Sequence, residues 1–237
     1  KVESWEGISC QRCGLPVISE RAADSVQVLC GACRAGDRGF DLARAFGIYR
    51  GNLRLLILQF KFRRRERLGK RLGALLVHAW EKLESSVEDK SPLLVPVPLF
   101  RSRERERGFN QARRLAEELS RLVAKSPGGR KLRVEEGLLI RKRPTLPQAG
   151  LKYAARKENV RGAFGVAGPG SLQDRQVVLI DDVMTTGATL SACAKALKKG
   201  GAGKVFALAL ARATPQFPDS GDWPVMTGVD EFGHDWR

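Results

Sequence analysis

Val177-Val178-Leu179-Ile180 is an unbroken run of β-branched and leucine residues, the pattern of a strand buried on both faces. Asp181, Asp182, Val183 and Met184 follow, and then Thr185-Thr186-Gly187-Ala188-Thr189. Leu190 to Lys199 has helical spacing and ends with Lys198, Lys199 and Gly200, a good helix stop. Val205 to Leu210 is a second apolar run. Strand, loop, helix and strand at this separation form a βαβ unit, which makes the strands parallel and the crossover right-handed. Ligands in such sheets sit at the carboxyl ends of strands, where the expected loop Asp181 to Ala188 falls.

That loop has the composition of a phosphate site. Backbone N–H groups leading into a helix N-terminus converge on an anion, helped by the helix dipole. Thr185, Thr186 and Thr189 add hydroxyl donors, and Gly187 allows close approach of the backbone. Without a lysine, it does not fit a nucleoside-triphosphatase P-loop, and it is not the dinucleotide G-x-G-x-x-G pattern. Asp181 and Asp182 would repel a phosphate unless they serve ribose hydroxyls or a magnesium ion. Taken alone, either "DD" or "TTG" reads as an acidic turn before a capped helix. The ordered combination after a buried strand is much more specific. It resembles the type I phosphoribosyltransferases. That resemblance implies that Asp181 and Asp182 contact the ribose diol and that Thr185, Thr186, Gly187, Ala188 and Thr189 bind the 5-phosphate of phosphoribosyl pyrophosphate, with magnesium.

Around this unit the chain divides into three expected regions: 1–38, cysteine-bearing; 39–213, alternating strand and helix patterns; and 214–237, a tail of prolines, glycines, acids and isolated aromatics. Glu66 to Leu83 carries a helical stripe through Leu68, Leu72, Leu75, Leu76, Ala79, Trp80 and Leu83. Leu93 to Val97 reads as a short buried strand and Gln111 to Ala124 as an amphipathic helix. The fold class that follows is α/β: a parallel-sheet core with flanking helices, and a small N-terminal metal-binding module.

A diphosphate needs a second anion site. The formal net charge of the 237 residues is +16, which points to phosphorylated small molecules or nucleic acid as partners. Arg101, Arg103, Arg105 and Arg107 follow the strand end at Pro98-Leu99-Phe100, and arginine forks suit phosphate oxygens. Glu104 and Glu106 interleave, so a helix face with internal ion pairs is the alternative. Gly108-Phe109-Asn110-Gln111 reads as a turn and a helix cap. Arg141 to Gln148, with Pro144 and Pro147, reads as an exposed loop able to close over a ligand, or as a plain connector.

Cys10-x-x-Cys13 and Cys30-x-x-Cys33 are separated by sixteen residues. That is the spacing of a four-thiolate structural zinc site, whose metal supplies folding energy that so short a segment lacks. Gly14 and Gly31 sit beside the knuckles, where tight turns are expected. Redox chemistry or disulfides are the alternative, though neither C-x-x-C lies in a βαβ context. Cys193 falls on the inner stripe of the 190–199 helix and reads as core, while His78 and His234 lack ligand partners.

The ordered set of motifs resembles the ComF family of competence proteins. It comprises the double C-x-x-C, Phe60-Lys61-Phe62, Pro96-Val97-Pro98, Arg107-Gly108-Phe109-Asn110-Gln111, Thr145-x-x-Gln148, Arg156-x-x-Asn159-Val160, Gly162-Ala163-Phe164 and the 181–189 loop. The resemblance implies a zinc module on a phosphoribosyltransferase domain and a role in natural transformation, handling single-stranded DNA on the cytoplasmic side. A DNA-translocating helicase is an implied partner where a competence system exists, and Arg143 and Gln148 would lie in a flexible hood loop. Two functions stay open on the residues. One is a phosphoribosyltransferase with an unidentified acceptor; no residue stands out as a general base. The other is a nucleic-acid binder whose basic runs Lys61–Arg71 and Arg101–Arg107 track phosphates, with Phe60, Phe62, Phe100 and Phe109 free to stack on bases or to serve as core. No run approaches the ~20 apolar residues of a membrane span, no signal-peptide order is present at the N-terminus, and a cytoplasmic location is expected.

Overall fold

The computed structural model describes residues 2, 4–17, 28–36, 38–61, 65–146, 153–168 and 172–214. Its centre is a five-stranded parallel sheet in the order β1-β7-β6-β2-β3, where β1 is Leu42–Ile48, β2 Leu93–Pro96, β3 Arg133–Val134, β6 Val177–Met184 and β7 Val205–Arg212. A separate antiparallel pair joins β4 (Leu139–Arg141) to β5 (Phe164–Val166). Helices α1 (Gly31–Arg34), α2 (Gly51–Phe60), α3 (Leu68–Glu84), α4 (Arg101–Arg107), α5 (Gln111–Lys125), α6 (Tyr153–Val160) and α7 (Ala188–Lys199) complete the described elements.

Alternation along the central strands assigns the two faces. Val178, Ile180, Phe206 and Leu208 pack with Leu72, Leu76 and Trp80 of α3 and Leu115 and Leu119 of α5. Val177, Leu179, Ala207 and Ala209 pack with Leu190, Cys193 and Leu197 of α7, with the β4–β5 pair and with the cysteine segment. A strand covered on both faces has no side open to polar residues, hence the continuous apolar runs. On the first face α3 and α5 approach closely: a Cβ on Gly73 would sit 2.5 Å from the Cβ of Glu118, so the crossing requires glycine.

The connection leaving β2 runs through α4 and α5 to β3 on one side, and the connection leaving β6 runs through α7 to β7 on the other. Two right-handed crossovers in opposite directions put α5 and α7 on opposite faces. A crevice opens between them at the carboxyl ends of β2 and β6, the topological switch point where such sheets bind ligands.

β6 and β7 run further than the sequence pattern implies. The sheet was expected to end at Ile180, with Asp181 opening a loop; instead β6 continues to Met184, and Asp181, Val183 and Met184 pair with Ala209, Ala211 and Arg212 of β7. β7 is buried along its whole length and offers partners beyond the point where the β6 side chains turn polar. β1 was not legible at all: Leu-Ala-Arg-Ala-Phe-Gly-Ile has weak strand propensity, and the strand exists because β7 supplies its ladder.

Candidate functional site

Because β6 reaches Met184, the turn at the switch point is only Thr185-Thr186-Gly187. Gly187 lies in the left-handed region at φ 78° and is the N-cap of α7. A side chain there would be strained by that backbone, and its Cβ would sit 2.8 Å from the Arg38 guanidinium, which would have to shift. The Thr186 hydroxyl accepts from the Ala188 N–H at 3.3 Å, and Thr185, Thr186, Ala188 and Thr189 are half-buried. Gly187 thus places the first turn of α7 at the mouth of the crevice.

The aspartates differ in surroundings. Asp182 is buried and pairs with Lys61 at 3.2 Å. The Asp181 carboxylate accepts from the Asp182 N–H at 2.8 Å. Burial pushes the Asp181 carboxyl up to about 7, with repulsion from Asp182 adding to the shift and Lys61 and Arg141 opposing it. Asp181 thus titrates near neutrality: it can donate a hydrogen bond when protonated and accept from a hydroxyl, or bind a cation, when ionised.

Across the crevice, the motif Arg107 to Gln111 holds the end of β2. Gly108 closes α4 at φ 85°, and Phe109 packs on Phe60 with ring centroids 5.4 Å apart. Asn110 caps α5 by accepting from the Ala112 N–H at 2.9 Å and donates to the Val97 carbonyl at 3.1 Å. Arg107 donates to the Gln111 side chain at 2.9 Å. Phe60 is fully buried, so this ring is core and is not available for stacking. Phe62 and Gln148 lie outside the described residues, as does the 214–237 segment apart from Thr214. α4 exposes Arg101 and leaves Arg103 half-buried; Arg103 lies 3.8 Å from Glu106, the ion-paired helix face weighed above.

Arg141, in the same expected loop as Arg143, bears on Asp181: its charge, like that of Lys61, opposes the upward shift of that carboxyl. Its guanidinium lies 5.4 Å from the Phe164 ring centroid and donates to the Pro98 carbonyl at 3.5 Å and to the Thr145 hydroxyl. Its Nε is buried without a hydrogen-bond partner among the described residues. Arg143 turns away and donates to the Arg161 carbonyl at 2.7 Å. The segment expected to be a mobile loop is tied in its described part: Leu146 N–H donates to the Asn159 side chain at 3.0 Å, and Asn159 donates back to the Leu146 carbonyl at 2.9 Å.

The four cysteines converge. The Sγ atoms of Cys10, Cys13, Cys30 and Cys33 all lie within 4.8 Å of one another, with Cys13 and Cys30 3.6 Å apart, and all four are free thiols. Four thiolates at ~2.3 Å from a tetrahedral ion stand roughly 3.8 Å apart, so the donor set fits a soft or borderline metal such as zinc. The first knuckle turns on Gly14, at φ 63°, whose N–H donates to the Cys10 carbonyl at 2.8 Å. Gly31, expected in a similar turn, is instead the first residue of α1 with ordinary backbone, because the second knuckle turns by helical bonds to the Cys30 carbonyl. A hydrogen bond from Cys13 pulls the Cys10 thiol down to about 4, and the same bond with burial pushes Cys13 up.

Two arginines that no motif announced connect these thiols to the turn. Arg212, buried at the end of β7, donates to the Met184 carbonyl at 2.8 Å and to the Ala213 carbonyl at 3.1 Å, and its charge lies against Cys13. Arg38, also buried, donates to the Thr186 carbonyl and to the Cys33 thiol. A metal with four thiolates is net negative, and these cations offset that charge while fixing both sides of the turn. The cysteine segment also shares its buried residues with the sheet core, since Cys10, Cys13 and Cys33 pack in the cluster containing Phe40, Val177 and Leu179.

A parallel sheet with an acidic strand end and a glycine turn at its switch point defines a phosphoribosyltransferase-type domain, and residues 108–235 match the phosphoribosyl transferase domain family. The chain is 33% identical to Competence protein F of Haemophilus influenzae over 78% of this chain and 78% of that protein. It is 32% identical to DNA utilization protein YhgH of Escherichia coli K12, over 86% of this chain and 83% of that one. With Competence protein ComFC of Bacillus subtilis the identity is 31%, over 90% and 81%. The chain belongs to the ComF family. No helix among the described residues is long and apolar enough to cross a membrane.

Proposed function

We propose that this protein binds phosphoribosyl pyrophosphate with magnesium at the switch point, holds a structural zinc ion on its four cysteines, and takes part in the handling of DNA taken up by the cell. The observation that carries the reading is the conjunction at one crevice of Asp181, Asp182 and the Thr185-Thr186-Gly187 turn at the N-terminus of α7. Turn N–H groups and threonine hydroxyls suit a phosphate, and carboxylates at the strand end suit a ribose diol. Arg141 and Arg103 supply positive charge across the crevice for a diphosphate. Magnesium, when bound with the ligand, neutralises diphosphate oxygens. The names of the relatives, competence proteins and DNA utilization proteins, support the DNA role.

Calorimetry with phosphoribosyl pyrophosphate and magnesium tests the ligand. The wild type is expected to bind, and Asp181→Ala with Asp182→Ala to lose binding while keeping its zinc. Wild-type affinity in that double variant would refute the assignment. Transfer to an acceptor is the other reading of the same crevice. Pyrophosphate release against a panel of amines, bases and single-stranded DNA separates turnover from binding alone.

A further inference from the structure

A groove of about 760 Å³ lies on the outer side of α7, between that helix, the β4–β5 pair and α6. It begins at the phosphate turn, where Thr186, Ala188 and Arg38 line it, and runs to Lys199 and Gly200 at the far end of α7. Twelve residues of helix span ~18 Å, so the groove is a path rather than a single-anion pocket. We propose that this groove is the binding track for single-stranded nucleic acid, and that it delivers the strand to the edge of the phosphoribosyl site.

Charge is the first argument. Arg38, Lys142, Lys157, Arg161, Lys195 and Lys199 line the groove, against Glu158 as its acidic residue. Lys142, Lys195 and Lys199 are exposed and make no ion pair among the described residues. They stand on opposite walls: Lys195 and Lys199 one turn apart on α7, Lys142 just past β4. The arginines of α5 are held differently, Arg113 by Glu117 and Glu136, Arg114 by Glu66 and Glu117, and Arg121 by Glu118. Paired arginines stabilise a surface, whereas lysines with no carboxylate partner leave their charge available to an anion.

The floor is the second argument. Between the basic walls the lining is apolar, built from Val160, Phe164, Val166, Ala192 and Ala196. A free phosphate or an acidic peptide has no use for such a floor. A single strand presents phosphates to the walls and unpaired bases to the floor. A duplex keeps its bases stacked inside and is too wide for a recess of small-molecule size. The identity of the strand as DNA rests on the role proposed above; the track itself rests on the groove.

The test is fluorescence anisotropy of a short labelled oligothymidylate as a function of salt. Lys195→Ala with Lys199→Ala keeps helix propensity on an exposed face and is expected to weaken binding roughly tenfold at low salt. The slope of log affinity against log salt should fall by about 0.7 for each lysine removed. Phosphoribosyl pyrophosphate binding and the melting temperature should stay at wild-type values. Lys142→Ala, on the opposite wall, must weaken strand binding in the same direction. Unchanged strand affinity in these variants would overturn the track while leaving a DNA role intact. A wild type that binds no single strand would overturn both, and equal affinity for duplex, or displacement by polyglutamate at equal charge, would overturn the single-strand assignment. Strand binding through the groove in a protein that ignores phosphoribosyl pyrophosphate would uphold the track and remove the ligand reading instead.

Discussion

The two faces of the sheet carry their charge in different ways. On the α3–α5 side, Arg113, Arg114 and Arg121 meet carboxylates of their own helix, and Arg130 meets Glu84 of α3. On the α7 side the buried arginines connect the thiol cluster to the Thr185-Thr186-Gly187 turn, and the exposed lysines line a groove. A net charge of +16 is therefore not one feature. It separates into a structural part that closes within the fold and a part directed at the crevice and its approach. The Arg101–Arg107 run falls between these cases, with Arg103 near Glu106 and Arg101 making no ion pair among the described residues.

The largest effects should come from the thiol cluster, which is part of the core as well as the candidate metal site. Cys13→Ser is expected to release the zinc, which metal analysis of the wild type should find as a single ion per chain, and to lower stability by several kcal/mol in denaturant titration. Intact, reduced thiols without metal in the wild type would remove the module. Next is Arg212→Met, which leaves the Met184 and Ala213 carbonyls without this donor and the neighbouring thiols with one counter-charge fewer. A loss of about 3 kcal/mol is expected, together with weaker phosphoribosyl pyrophosphate binding in calorimetry. Full ligand affinity in this variant would show that the turn does not depend on its link to the cysteines.

A smaller effect concerns pH. The Asp181 carboxyl is raised to about 7 in the folded chain, so the folded state holds that proton more tightly than the unfolded one. Its contribution is most favourable below the ordinary carboxylate range and declines as pH rises from there through about 7. Asp181→Asn should therefore stabilise the protein at pH 8 by about 1–2 kcal/mol, allowing for solvent screening, and the gain should vanish toward pH 4. Binding of magnesium with phosphoribosyl pyrophosphate, which uses the ionised carboxylate, should tighten as pH rises through 7 in the wild type and lose that step in the variant. The smallest effect is a control on the other face. Arg113→Ala should cost only about 0.5 kcal/mol and leave strand binding unchanged; a loss as large as that of the groove lysines would erase the distinction between the two faces.

Much of the site was legible because it is local in sequence. The apolar run from Val177, the aspartates, the glycine turn and the start of α7 are consecutive, and their order carries their chemistry. The C-x-x-C pairs were legible because tetrahedral metal geometry imposes short spacing. Asn110 was readable as a cap for the same reason, although its second bond, to Val97, was not.

The sequence by itself determined that this chain has a parallel sheet with a glycine turn after an acidic strand end, two closely spaced cysteine pairs and a large positive charge, since each is written in neighbouring residues. Only the tertiary structure decided where the charge acts. Arg38 and Arg212 are isolated in sequence and meet the turn because β7 runs beside β6 and the cysteine segment packs against the same core. Arg141 rather than Arg143 bears on Asp181, because Arg141 ends β4, which is paired with β5, while Arg143 lies beyond the strand and bonds to the Arg161 carbonyl. The groove lysines come from α6, β4 and α7, and no window of sequence contains them together. Electrostatic function depends on distances across the fold, and those distances come from packing, not from adjacency along the chain.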